Sequence, residues 1–289
     1  MKEAWGKYGE RDEAGALNRI GTAEVREAAS LVRSGKVLSL AQPISPKMMI
    51  PKHRPPMQHF MSRDGGDYAA GQRRPGGFQV ADDTIVMALH SGTHLDALCH
   101  CWYDDTLYNG FSANEVKSRG ATRLGMEKTG PIATRGLLLD FVALNGGPLA
   151  DGTSIDVAHL QAAIRRSGAQ PKPGDAVLLR TGWLEAQKGV AEVDFDAEPG
   201  IDVSAALMLA EAGVALVGAD NYAIEVLPFP KDTVFPVHQR LIRDYGVYLL
   251  EGLVLAPLAA EGASTFLFVA AALPIAGATG SPVNPVAVL

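Results

Sequence analysis

Cysteine is scarce in this chain, with only Cys99 and Cys101 among its 289 residues. Cysteines two positions apart almost never bridge, because a disulfide requires a specific separation of the two Cα atoms. The sequence therefore excludes a disulfide framework. Hydrophobic residues make up 47% of the chain, which is ample material for a hydrophobic core.

Long apolar runs and clusters of basic residues are lacking as well. The longest apolar stretch, residues 264–278, is shorter than the roughly 20 residues of a membrane-spanning helix and favours a buried strand. The formal charge is −6, and the charged first residues contain no apolar signal-peptide core. These absences predict a cytoplasmic protein with neither a membrane nor a nucleic-acid partner.

Apolar strand-like runs alternate with helical patterns along the chain. The strand-like runs lie at residues 37–43, 84–90, 135–141, 175–183, 214–220, 247–255 and within 264–278; the helical patterns lie at 22–36, 156–168, 204–213 and 237–246. Because continuous apolar strands separated by helices favour a parallel or mixed sheet, we predict an α/β fold with helices packed on a mixed sheet. No linker-like segment interrupts the pattern, so residues 1–289 are predicted to form a single domain.

One short segment concentrates the imidazoles: His90, His94 and His100 are three of only seven histidines, with Asp96 between them. On a straight strand His90 and Asp96 would lie about 20 Å apart, too far for one metal ion. Gly92 gives the backbone the freedom to fold back. Two imidazoles and a carboxylate then supply the three protein ligands that are common in catalytic metal sites.

Two better-known metal motifs do not fit this segment. A zincin would carry Glu after the first histidine, where Ser91 stands, and a zinc deaminase would carry a later Cys-x-x-Cys. Any single histidine here would more simply be a turn or core residue. The combination with Gly-Thr and an aspartate is what favours metal binding.

The stretch "HSGTHLDALCH" resembles the signature of the metal-dependent cyclase-like hydrolase family, His-x-Gly-Thr-His-x-Asp-x-Pro-x-His. That family includes bacterial kynurenine formamidase, isatin hydrolase and trans-dienelactone hydrolase. Leu98 replaces the usual proline, which points to the longer subgroup of isatin and dienelactone hydrolases. The similarity extends over most of the chain, through "WGKYGERDEAGALN", "LLRTGW", "GADNYAIE" and "VHQRLIRDYGVYLLEGL".

The resemblance implies roles for six residues. His90, His94, Asp96 and Glu251 would bind one or two divalent metal ions, Zn²⁺ or Mn²⁺, and His100 and His238 would be catalytic. It also implies a swivelling β/β/α fold and a homodimer or larger homo-oligomer. The buried setting of Glu251 agrees, since a buried carboxylate is costly unless it is paired or metal-bound, although a strand end at Gly252 would expose it. For His238, helical spacing alone equally allows a core or surface histidine.

Other residues are weaker candidates. Asp220 and Asn221 follow a predicted strand, where α/β sites gather, and either support the site or shape a turn. Arg180 and Thr181 are interpreted as structural. Cys99 is disfavoured as a nucleophile, because adjacent residues on an extended chain point to opposite faces and Cys99 neighbours His100. The aromatic residues that flank the segment are expected to pack in the core unless they line a pocket: Trp102, Tyr103, Phe60 and Phe78.

The resemblance implies a hydrolase that opens a small, flat cyclic amide or lactone with metal-activated water. The alternative substrate is N-formylkynurenine, and the alternative class is a non-catalytic metal- or ligand-binding protein. Residues 51–78, rich in proline and glycine, predict one long loop whose Phe60, Tyr68 and Phe78 close over a ring. The loop also carries arginines at 54, 63, 73 and 74, which instead favour a carboxylate-bearing substrate.

Overall fold

The computed structural model describes residues 4–190 and 192–289. Its strands are β1 (Val37–Ser39), β2 (Gln58–Arg63), β3 (Asp82–Val86), β4 (His94–Asp96), β5 (Val116–Lys117), β6 (Gly120–Ala121), β7 (Ile132–Asp140), β8 (Ser154–Ile155), β9 (Ala176–Arg180), β10 (Gly200–Ile201), β11 (Leu216–Ala219), β12 (Tyr248–Glu251), β13 (Thr265–Ala270), β14 (Gly280–Pro282) and β15 (Val286–Val288).

The α-helices are α1 (Thr22–Ala29), α2 (Gly65–Ala69), α3 (Phe141–Asn145), α4 (Val157–Ser167), α5 (Trp183–Ala186), α6 (Val203–Ala212), α7 (Pro236–His238) and α8 (Ala256–Ala260). Short 3₁₀ helices occur at Gly15–Arg19, Pro75–Gly77, Tyr108–Gly110, Ala113–Glu115 and Met126–Lys128, and a π-helix at Gln239–Asp244 continues α7. No helix in residues 4–190 or 192–289 combines the length and the apolar character needed to cross a membrane.

One nine-stranded sheet organises the molecule, in the order β1-β15-β13-β7-β9-β11-β12-β4-β14. The four central strands β7, β9, β11 and β12 run parallel, and the outer strands join them antiparallel. Strands β9 and β11 are almost entirely apolar because helices cover both faces of such a sheet. The predicted α/β fold with a mixed sheet and packed helices is confirmed.

The bounds of helices α4 and α6 were predicted accurately because both helices have clear capping residues. Helix α4 begins at Asp156, whose carboxylate accepts the backbone N–H of His159 at 2.9 Å, and closes at Gly168 with φ 72°. Helix α6 has the same pattern, with Asp202 at its start and Gly213 at its end. Aspartate caps and left-handed glycine ends are signals that a sequence shows directly.

Other predicted bounds were wrong. The helix expected over residues 22–36 ends at Ala29, where the Ser30 hydroxyl donates to the Glu27 carbonyl at 2.6 Å. The expected loop 51–78 contains β2 and α2, and β2 pairs antiparallel with β3 to form a hairpin. The expected strand over 84–90 is β3 of this hairpin and stays outside the main sheet. Neither the Ser30 hydrogen bond nor the exposed hairpin produces a periodic pattern of hydrophobic residues, so the sequence does not reveal them.

Candidate metal centre and active site

Strand pairing brings the two predicted metal-binding segments together. Strands β4 and β12 run antiparallel, with His94 opposite Glu251. His94 and Asp96 lie two residues apart on β4 and so share one face. On the other side of β4, Gly280 of β14 is paired with Asp96. The register of β4 and β12 therefore places Asp96 and Glu251 beside His94, although more than 150 residues separate the two carboxylates along the chain.

The turn before β4 folds His90 back onto this face, as predicted. Gly92 adopts φ 61°, a conformation that glycine tolerates best. The Thr93 hydroxyl donates to the Gly252 carbonyl at 2.7 Å and accepts the Gln42 backbone N–H at 2.8 Å, which ties the turn to the end of β12. As a result His90 Nδ1 lies 2.7 Å from the near oxygen of Asp96.

All six predicted site residues converge at this point: His90, His94, Asp96, His100, His238 and Glu251. The rings of His90 and His100 are stacked with centroids 3.9 Å apart. His94 Nε2 lies 3.2 Å from Glu251 Oε2 and 3.7 Å from Asp96 Oδ1. His238 Nε2 lies 3.1 Å from Glu251 Oε1. Within the described residues two overlapping groups have metal-ligand spacing, and both contain Asp96: His90–Asp96–His100 and Asp96–His238–Glu251.

Two unpartnered atoms show that the cluster fits a cation. His94 Nδ1 faces the Gly92 carbonyl at 3.0 Å and must be its donor, so in the neutral imidazole Nε2 carries a lone pair toward two carboxylates. His94 Nε2 and Asp96 Oδ2 are buried and have no hydrogen-bond partner in the described part of the chain. Buried polar atoms without partners are rare, and a cation between these acceptors would satisfy both. Imidazole and carboxylate donors without thiolate suit Zn²⁺ or Mn²⁺.

The imidazoles and carboxylates shift one another's ionisation. Burial alone would raise the pKa of Asp96, but the neighbouring His100, His90 and His94 outweigh it and hold that pKa well below its usual range. Burial alone would also raise the pKa of Glu251, but the neighbouring His238 and His94 outweigh it and lower that pKa. Desolvation lowers the pKa of His100 to about 4. The cluster thus keeps both carboxylates ionised and His100 neutral at pH 7.

A third carboxylate, Glu225, contacts His238 at Nδ1, whereas Glu251 contacts it at Nε2. Glu225 Oε1 lies 2.6 Å from His238 Nδ1 and accepts the His238 backbone N–H at 3.0 Å, while Oε2 accepts the Val237 N–H at 3.0 Å. Glu225 is 1% exposed, so this contact is enclosed. Sequence analysis missed Glu225, although a carboxylate inside the apolar stretch around it was a usable signal.

The weaker candidates support the loops around the site. Asp220 accepts the backbone N–H groups of Thr181 and Gly182 at 2.8 and 2.7 Å, and burial raises its pKa to about 6. Asn221 bonds the Pro199 carbonyl and the Ile224 N–H. Both residues therefore shape the turn after β11. Arg180 pairs with Asp140 and Glu185, in agreement with its structural interpretation. Cys99 is fully buried and burial raises its thiol pKa to about 12, which argues against a nucleophile.

The cluster opens into a cavity of about 1070 Å³. His100, His238 and Glu251 are among its lining residues, as are four aromatic side chains: Phe195, Tyr222, Phe229 and Phe235. Phe195 and Tyr222 meet edge-on at 5.2 Å, as do Phe235 and the ring of His238 at 4.9 Å. The cavity lining thus combines residues of the cluster with aromatic side chains, which we call the aromatic walls.

The aromatic residues expected to close over a ring lie elsewhere. Phe60 and Phe78 are more than half exposed, and the Tyr68 hydroxyl donates to the Val80 carbonyl inside the hairpin region. Trp102 is also exposed, and Tyr103 bonds the Asp244 carboxylate. Of the four arginines in residues 51–78, Arg54 lines the cavity, where it bonds the His90 carbonyl and lies 5.4 Å from the Tyr222 ring centre.

The comparisons with known proteins identify the class of this fold and site. Residues 38–226 match the model of the Cyclase family, and the chain belongs to that family. The resemblance read from the sequence is therefore confirmed. A solved structure of a novel cyclase is 36% identical over 99% of each chain, with a TM-score of 0.91.

More distant solved structures share the fold. Isatin hydrolase A from Ralstonia solanacearum is 21% identical, over 93% of this chain and 97% of that chain, with a TM-score of 0.64. A predicted metal-dependent hydrolase from Bacillus stearothermophilus is 22% identical, over 87% of this chain and 97% of that chain, with a TM-score of 0.56. No curated protein matches the chain.

Proposed function

We propose that this protein is a divalent-metal-dependent hydrolase that opens a small, flat cyclic amide or lactone and releases the ring-opened carboxylate. The observation that carries the proposal is the pair of buried, unpartnered ligand atoms, His94 Nε2 and Asp96 Oδ2, in a cluster that faces an aromatic cavity. The isatin hydrolases among the structures with this fold support a cyclic amide as substrate.

Each part of the centre has a task in this proposal. A divalent cation held by His90, His94, Asp96 and Glu251 would polarise a carbonyl oxygen and acidify a water molecule. His100, whose ring stacks on that of His90 and which lines the cavity, would serve as the general base. His238, whose ring centre lies 6.3 Å from that of His100, would hand a proton to the leaving group. The aromatic walls orient a flat ring, since ring pairs add roughly 0.5–1.5 kcal/mol beyond burial.

A linear substrate is the second candidate, and Arg54 is the observation that favours it. Arg54 lines the same cavity and could bind the carboxylate of N-formylkynurenine. However, the guanidinium already bonds the His90 carbonyl and stacks over Tyr222. Because Arg54 already has these contacts, we rank the cyclic substrate first.

The test measures metal content and hydrolytic activity on the same enzyme preparations. Purified enzyme would be analysed for metal, stripped with chelator, reloaded with Zn²⁺ or Mn²⁺, and assayed on isatin, a dienelactone and N-formylkynurenine. We expect His94→Ala to fold but to lose bound metal and hydrolysis together. The control is His159→Ala, because His159 lies exposed on α4 and pairs only with Asp156.

Three outcomes would contradict the proposal at different levels. Stoichiometric metal in His94→Ala would refute the metal site. A hundredfold preference for N-formylkynurenine would select the arylformamidase. Bound metal without hydrolysis of any substrate would favour the non-catalytic binding protein.

A further inference from the structure

A second, much smaller chamber lies beside the cluster, with a volume of about 30 Å³. Its lining includes His94 and Glu251 of the cluster together with Ser91 and Trp183. It also shares lining residues with the larger cavity, namely Pro51, Arg54, Phe195, Tyr222 and Glu251. This volume is room enough for an oxygen-sized group and far less than the larger cavity offers.

Two hydrogen-bond donors in the chamber wall have no partner. Ser91 Oγ and Trp183 Nε1 are buried without a hydrogen bond in the described part of the chain, and each residue is only 3% exposed. An indole N–H can only donate, and the serine hydroxyl donates equally well. Together with His94 Nε2 and Asp96 Oδ2, they make four of the seven such side-chain atoms. Three of these four atoms belong to residues that line the chamber: Ser91, His94 and Trp183.

The indole is held firmly where it is. Gly182 adopts φ 85° and places Trp183 at the start of α5, where the Trp183 backbone N–H donates to Thr181 Oγ1 at 3.2 Å. The indole packs edge-on against Phe195, with ring centres 5.9 Å apart. Ser91 stands between His90 and Gly92 in the turn that shapes the centre. Both donors are thus fixed by the same elements that build the site.

We propose that the inner chamber binds one acceptor oxygen of the substrate or product, a carbonyl or carboxylate oxygen, through Trp183 Nε1–H and Ser91 Oγ–H. The ring then lies in the larger cavity between the aromatic walls. This inference rests on the proposed function only for the carbonyl class of its ligand. On this inference, Trp183 and Ser91 determine specificity: they favour compounds that carry an acceptor oxygen next to the group that faces the cation.

The probe for this chamber is benzoate, which joins one flat ring to two acceptor oxygens on a single carbon. Zinc-loaded enzyme labelled with ¹⁵N at tryptophan would be titrated with benzoate, and the indole N–H signals followed by NMR. Trp183→Phe assigns the Trp183 signal. Trp5 is the internal reference, because its Nε1–H already donates to the Arg243 carbonyl at 2.9 Å. We expect the Trp183 signal to move downfield and the Trp5 signal to stay.

Calorimetry supplies the second readout. Trp183→Phe and Ser91→Ala should each weaken benzoate binding about tenfold, the effect of one lost hydrogen bond. Trp102→Phe is the matched control and should bind benzoate like the wild type, since Trp102 is 38% exposed and outside both cavities. Should Trp183→Phe fail to fold, Ser91→Ala alone decides the question, because it removes one small group.

An unmoved Trp183 signal with unchanged affinities would show that these two donors do not bind the acceptor oxygen, and the inference would be wrong. Absence of benzoate binding at millimolar concentration would overturn it as well. Failure of the proposed function would look different: no hydrolysis of the substrate panel, while benzoate still shifts the Trp183 signal.

Discussion

At the scale of single residues, the position of His238 depends on Glu225. The carboxylate accepts two N–H groups from His238 and one from Val237, so it both anchors the start of α7 and selects the imidazole nitrogen that carries the proton. With Nδ1 engaged in this way, Nε2 faces Glu251. Carboxylate partners of this kind commonly fix the orientation and basicity of histidines at metal sites.

Glu225→Gln should therefore disturb the centre without unfolding the protein. An amide cannot accept three N–H bonds, because its NH₂ group would face one of these donors. We expect metal affinity or kcat to fall about 10- to 100-fold. Affinity would be measured by competition with a chelator, and the His238 tautomer by ¹⁵N NMR.

The matched control for this substitution is Glu211→Gln, on the exposed end of α6, which should change neither quantity. A Glu225→Gln enzyme with the wild-type tautomer, metal affinity and kcat would show that Glu225 only stabilises the start of α7.

The sequence predicted part of the site at this scale. The turn at Gly92 and the shared face of His94 and Asp96 follow from spacing within one short segment. The sequence did not reveal Glu225 and Trp183 as site residues, because they lie far along the chain from the histidine segment. Contacts between such distant residues produce no local sequence pattern. The aromatic residues of the cavity were misassigned for the same reason. Closeness in sequence to the metal segment pointed to Phe60, whereas the fold places Phe195 and Phe235 in the cavity lining.

At the scale of elements, two turns meet back to back beside the centre. Gly92 precedes β4 and Gly252 follows β12, and both have positive φ angles. A Cβ atom on Gly252 would lie 2.5 Å from the Gly92 carbonyl oxygen and 2.8 Å from the Gln42 side chain. This close approach lets the ends of β4 and β12 align His94 with Glu251.

Gly252→Ala should separate these turns. The left-handed backbone alone costs an alanine about 1–2 kcal/mol, and relieving the backbone contact adds about 1–3 kcal/mol. Gly262→Ala is the control, because Gly262 has φ 70° and open space around it and so carries only the backbone cost. Urea unfolding of the metal-free proteins measures the difference. Equal destabilisation by the two substitutions would contradict this account of the turns.

The elements themselves were predictable where burial imposes a pattern. The central strands β9 and β11 are continuous apolar runs, and helix α4 has an aspartate cap and a glycine end, so their positions could be predicted. The β2–β3 hairpin was not, since its strands have no buried face and therefore show no alternation. The π-helix after α7 also has no sequence signal that separates it from an ordinary helix.

At the scale of the whole molecule, the β2–β3 hairpin stands without support. Every residue of β3 and nearly every residue of β2 is exposed. Phe60 and Val86 lie on one face, and Met61 and Ile85 on the other, each 49–56% exposed. A two-stranded hairpin is marginally stable by itself in water, so we expect a partner surface to cover these faces. The hairpin follows residues 51–54, which line the cavity, and a second copy of the chain is the occupant we predict.

We therefore expect the protein to be a homodimer in which the hairpin of each chain packs on its partner. Light scattering after gel filtration should give twice the 30.5 kDa chain mass. The pairs Phe60→Ser with Val86→Ser and Met61→Ser with Ile85→Ser each remove one apolar face and should shift the mass toward one chain. Leu273→Ser, which removes an equally exposed side chain away from the hairpin, should leave the dimer intact. Because the covered segment continues into the cavity wall, loss of the dimer should also raise KM. A wild-type protein that is monomeric at tens of micromolar, or hairpin variants that remain dimeric, would show that the hairpin is not the interface.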